Sequence, residues 1–65
     1  MTPDGYRAMI RSLGLTPCRP SYNRHTLHSD GRGEIYRIPD PEYLSPEERE
    51  SMVELIKGRM QIGTH

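Results

Sequence analysis

The tetrapeptide Ser45-Pro46-Glu47-Glu48 constrains this chain more than any other stretch, because it specifies where a helix must begin. A serine hydroxyl at the N-cap accepts from the third helical amide, and a glutamate at that third position bonds back to the cap. Proline suits the first helical position, where no amide is needed. Beyond this start, Met52, Val53, Leu55, Ile56 and Met60 recur within one wide stripe of a 3.6-residue wheel. Glu47, Glu50, Ser51, Glu54, Lys57 and Gln61 fall opposite it. The pattern predicts a helix over about 46–60 with one face buried. Acidic residues crowd its first turn and Lys57 and Arg59 its last, the order the helix dipole favours.

The first residues repeat the logic. Thr2 is a cap, Pro3 a first helical residue, and Tyr6, Met9, Ile10 and Leu13 follow the i, i+3, i+4, i+7 spacing, with Arg7 and Arg11 outside that face. A helix over about 3–13 follows, ended by Gly14 in a left-handed cap, with Leu15 folding back on the last turn. Residues 14–23 read as a connector, since Pro17 and Pro20 break any helix begun at Thr16.

Short strands are expected within 24–38, joined around Asp30-Gly31-Arg32-Gly33. A two- or four-residue turn places Leu27 on the face of Tyr36 and Ile38. A three-residue loop with a glycine bulge places it with Ile35 and Arg37 instead. Pro39 and Pro41 end the hairpin in a Pro-rich turn over 39–44, and residues 61–65 are expected to fray, with Ile62 a last contact. The expected architecture is one small α+β domain, helix–β-hairpin–helix (α-β-β-α), with two amphipathic helices packed on a two-stranded antiparallel hairpin.

The opening TPDGYRAMIRSLGLT resembles the first helix of small bacterial and phage helix-turn-helix repressors, which begins with a Thr-Pro cap and ends in Leu-Gly-Leu-Thr. The resemblance covers residues 2–16 and implies a place near nucleic acid. In that family a second helix and a recognition helix follow at once. Here the proline pair intervenes, so no DNA-reading residue carries over.

Composition narrows the function. At 65 residues, with 32% hydrophobic and neither Trp nor Phe, the core is thin enough to favour a partner chain. Formal charge is zero, so no overall basic field draws nucleic acid or an anionic membrane. The charge is nonetheless divided. Residues 1–38 hold six arginines against three acids, and residues 39–65 six acids against three bases. Opposite charges facing one another inside the fold or across a dimer account for that division.

The single cysteine rules out an internal disulfide, no apolar run approaches a membrane span, and the start lacks the order of a secretory leader, so a cytoplasmic protein is expected. Cys18, His25 and His28 carry metal-type donors, but a closed site needs a fourth ligand from His65 or Asp30, and strand geometry turns the two histidines apart. A Cys-His catalytic pair needs a pocket that a chain this small has little room for. The expectation is no enzyme, no catalytic residue, no metal, no cofactor and no small-molecule ligand. It is a non-enzymatic protein-interaction module that meets a protein partner or a second copy of itself through Met52, Val53, Leu55, Ile56 and Met60. The alternative is a nucleic-acid-associated accessory protein using Arg7, Arg11, Arg24, Arg32 and Arg37 on phosphates, without aromatic stacking.

Overall fold

A computed structural model describes the backbone of residues 1–63 and the side chains of residues 1–60. It has α1 (Pro3–Ser12), β1 (Thr16–Pro17), β2 (His25–Ser29), β3 (Ile35–Pro39), a 3-10 turn (Pro41–Tyr43) and α2 (Pro46–Gly63). The protein is a small α+β fold, with the strands forming an antiparallel sheet in the order β1-β2-β3. No helix among the described residues is long and apolar enough to cross a membrane.

Both helix starts form as their chemistry requires. Thr2 Oγ1 accepts from the Gly5 amide at 3.0 Å. Ser45 Oγ accepts from the Glu48 amide at 3.1 Å, and Glu48 Oε1 accepts from the Ser45 amide at 2.7 Å, completing the reciprocal box. Gly14 ends α1 at φ +85, its amide donating to Arg11 C=O at 2.9 Å, and Leu15 turns back to become fully buried.

The connector is more ordered than expected. Thr16 and Pro17 pair with Ser29 and His28, and the Cys18 amide donates to Leu27 C=O at 2.9 Å, so the sheet has three strands and not two. Pro17 is tolerated because an edge strand needs no donor on its solvent side. The chain then bulges and returns through Tyr22-Asn23-Arg24-His25, where Tyr22 and His25 exchange both backbone hydrogen bonds. Asn23 and Arg24 both carry positive φ, +53 and +65, as the two central residues of a type I′ hairpin turn do.

The β2–β3 register is the three-residue-loop alternative: Leu27 stands opposite Arg37 and Thr26 opposite Ile38. Asp30 selects it. Its amide donates to Glu34 C=O, and its Oδ1 accepts from the amides of Arg32 and Glu34, closing a loop over Gly31-Arg32-Gly33 with Gly33 at φ +97. Leu27 therefore shares a face with Ile35 and Arg37, while Tyr36 and Ile38 face the helices. Pro39 belongs to β3 after all, since its missing amide would have pointed to the open edge and no ladder bond is lost.

The core joins Tyr6 and Ile10 of α1, Leu15, Ile38 of β3, and Val53 and Ile56 of α2. Met52 and Met60 pack at its margin, but Leu55 does not belong to it, being 57% exposed. On the wheel Leu55 lies about 100° from Ile56, whereas Arg49, two turns before Ile56, takes the buried line. Arg49 Nε donates to Pro41 C=O at 2.9 Å and its Nη1 to Met1 C=O at 2.8 Å, so the 3-10 turn and the N-terminus are tied to α2. The helix also continues through Gly58 to Gly63, past the expected end at Met60. Of the tail expected to fray, Thr64, His65 and the Ile62 side chain lie outside the described residues.

Tyr6 makes the core sensitive to alkali. Its hydroxyl donates to Pro39 C=O at 2.8 Å, and burial, with the nearby Asp40 carboxylate second, pushes the phenol up to about 12. The folded state favours the neutral phenol. Between pH 10 and about 12 the folded chain thus keeps a proton that the unfolded chain has released, and stability falls as pH rises through that window. Tyr6→Phe is expected to flatten this decline in urea midpoints measured across the window, while losing about 1 kcal/mol at neutral pH with the hydrogen bond. An unchanged decline would place the alkaline sensitivity elsewhere.

Candidate functional site

Two surfaces of the sheet remain uncovered, and they differ in chemistry. One is the open edge of β3. Asp40 donates its amide to Arg24 C=O and Asp30 donates to Glu34 C=O, so the residues of β3 alternate between facing β2 and facing outward. By that alternation Tyr36 and Ile38 bond to β2, whereas Ile35 and Arg37 turn their N–H and C=O groups to the open edge. The outward carbonyl of Pro39 is already taken by Tyr6. A groove beside this edge is lined by Glu34, Ile35, Ile38, Met52, Leu55, Ile56 and Arg59. Ile35 is 54% exposed there, close to the value for Leu55. Exposed apolar side chains thus flank unpaired backbone. The opposite edge, at β1, is blunted by Pro17 and by the bulge containing Pro20.

The other surface is the outer face of the sheet, opposite the helices. Arg19, Pro20, Ser21, Tyr22, His25, Leu27 and Arg37 line a groove on it. On the helix side of the sheet Asp40 is nearly buried. Its Oδ1 accepts from Thr26 Oγ1 at 2.6 Å and its Oδ2 from Ser21 Oγ. The carboxylate therefore joins the bulge after β1 to strand β2.

The five arginines expected to contact phosphate do not gather on one surface. Arg7 and Arg11 line a small depression by Tyr6 and His28, Arg32 stands at the β2–β3 loop, and Arg37 borders both grooves just described. Arg7 is committed to Glu42, whose carboxyl is held below its usual range chiefly by that hydrogen bond. This ion pair links the basic and acidic halves of the chain. Arg24 lies over the Tyr43 ring, 5.1 Å from its centroid. Arg19, absent from the expected set, joins Arg37 through the bulge, which sequence spacing alone does not reveal.

Cys18, His25 and His28 each meet a different backbone carbonyl. Cys18 Sγ donates to Leu27 C=O at 3.4 Å, His25 Nδ1 lies 2.8 Å from Asn23 C=O, and His28 Nδ1 lies 3.0 Å from Thr26 C=O. Among the described residues no three metal-ligating side chains cluster. After α1 the chain enters β1, so no second helix follows the repressor-like opening. No protein-family model, curated protein or solved structure matches this chain.

Proposed function

We propose that the protein is a small non-enzymatic interaction module that pairs with a second copy of itself along β3 and the adjoining flank of α2. The observation that carries this reading is the coincidence of unpaired Ile35 and Arg37 backbone groups with exposed Ile35 and Leu55 side chains. An open strand edge is a template for another strand, and apolar flanks add the area that hydrogen bonds alone do not supply.

The edge is self-complementary in one antiparallel register, with Tyr36 on the two-fold axis. Ile35 of one copy then stands opposite Arg37 of the other, and each such pair exchanges both of its N–H···O=C bonds. A register centred on Arg37 would instead oppose two like charges. Glu34 and Arg59 border the same groove, so the axis carries each carboxylate toward the other copy's cation. The helices stay on one side of the enlarged sheet.

Sedimentation equilibrium tests the reading with two variants. Arg37→Pro removes an outward amide together with the guanidinium and leaves the β2 ladder intact, so it is expected to shift the protein from dimer to folded monomer. Leu55→Glu, on an exposed side chain, is expected to do the same. An NOE between the Ile35 and Arg37 amide protons reports the register, because two strand residues lie about 6.6 Å apart within one chain. A wild-type protein that sediments as a monomer at millimolar concentration overturns the proposal.

A further inference from the structure

The groove on the outer sheet face shares Arg37 with the self-pairing edge, but its chemistry points to a different partner. Tyr22 is the most exposed large hydrophobic side chain among the described residues, at 83%. It is nevertheless held in place: Tyr22 and His25 exchange backbone hydrogen bonds at 2.8 and 3.1 Å across a turn with two positive-φ residues that are not glycine. Arg24, one of the two, donates nothing to the groove. Its carbonyl accepts from the Asp40 amide at 2.9 Å and its guanidinium lies over Tyr43, which secures the left-handed conformation. Asp40 also holds Ser21. A buried carboxylate and two left-handed residues thus hold an aromatic ring out to solvent.

Around that ring the groove has an apolar floor of Leu27 and Pro20, and its charged walls are Arg19 and Arg37. No carboxylate lines it, and among the described residues neither arginine has an ion-pair partner. The two come from opposite sides of β2, so their backbones stand about 10 Å apart, and both line the groove with the ring. An exposed ring sharing a groove with two separated arginines matches a ligand that alternates flat apolar faces with anions.

We infer that this groove binds single-stranded nucleic acid, with a base stacked on Tyr22 over Leu27 and the flanking phosphates on Arg19 and Arg37. A duplex hides the base faces that Tyr22 would meet, and a phosphopeptide offers anions without the repeated planar faces. Sequence is not read by this arrangement, since every base has a face to stack.

Fluorescence anisotropy with a labelled oligothymidylate of about ten nucleotides tests it at low salt. Binding is expected to weaken as salt rises. Tyr22→Ala is expected to weaken it at least about fivefold and Tyr22→Phe to restore it, because the phenyl ring keeps the stacking face. Arg19→Gln with Arg37→Gln is expected to reduce the salt slope by about 1.4, the share of two phosphates on a single strand. Arg32→Gln, at the distant loop, should change nothing. Tyr22 is so exposed that its truncation cannot act through the core, and an amide NMR spectrum of each variant confirms the fold. No binding at low salt, an unaltered affinity for Tyr22→Ala, or equal affinity for duplex, heparin or a phosphotyrosine peptide would overturn the inference.

Discussion

Replacing Leu15 with alanine is expected to leave little folded protein at physiological temperature. Leu15 has no exposed surface and sits in a cluster of six buried residues among the described ones. Truncating a buried leucine costs about 2–5 kcal/mol, the transfer of its methyl groups plus the void they leave. A domain of 65 residues has only about 3–10 kcal/mol to lose. The neighbours cannot collapse into the void, because Leu15 is fixed by the Gly14 cap on one side and by β1 on the other. Thermal melting followed by circular dichroism should therefore show a midpoint roughly 10–40 °C lower, or no cooperative transition. A drop of only a few degrees would mean that Leu15 is not where the core closes. Leu15→Met, which conserves volume, should recover most of the loss.

Asp40→Ala is expected to have the second largest effect, by a different route. It removes the acceptor for two hydroxyl groups, Ser21 in the bulge and Thr26 in β2. Hydrogen bonds to a charged group contribute about 1.5–3 kcal/mol, and the half-buried Thr26 hydroxyl is left without its partner. We expect a loss of about 2–3 kcal/mol in urea unfolding. The damage should also be local. Amide exchange at Tyr22 and His25 should accelerate more than exchange in α2, because Asp40 fixes the bulge and the turn without touching that helix. Asp40→Asn retains one acceptor oxygen and should fall between the two. Uniform acceleration across the protein would show that Asp40 supports the whole core and not the turn.

Much of this architecture is legible in the residues themselves, where the physics is local. The caps at Thr2 and at Ser45 with Glu48 need only a few neighbouring atoms, and both form as written. The Tyr6-Ile10 face and the Val53-Ile56 pair are buried because helical periodicity alone brings them to one side. What escapes is set by partners distant in sequence. β1 is two residues long and includes a proline, so nothing but its pairing with β2 makes it a strand. The β2–β3 register turns on the Asp30 side chain, which chooses between loops that hydrophobic pattern leaves equivalent. Leu55 looks like a core residue until Arg49 takes the buried line of α2 to reach two carbonyls outside the helix. The grooves are harder still. Arg19, Tyr22 and Arg37 become neighbours only once the bulge and the register are both in place.

The distribution of the core along the chain bears on how the protein is made. Tyr6, Ile10 and Leu15 are synthesised first, while Val53 and Ile56, which cover them, follow Leu15 by about forty residues. At ribosomal rates that is a wait of roughly two to eight seconds. During that interval the apolar face of the first helix has only Leu15 and, later, Ile38 of β3 to rest against. Folding is therefore deferred until α2 emerges, and a nascent chain of this kind offers chaperones a short, predictable period in which its N-terminal segment is the exposed one.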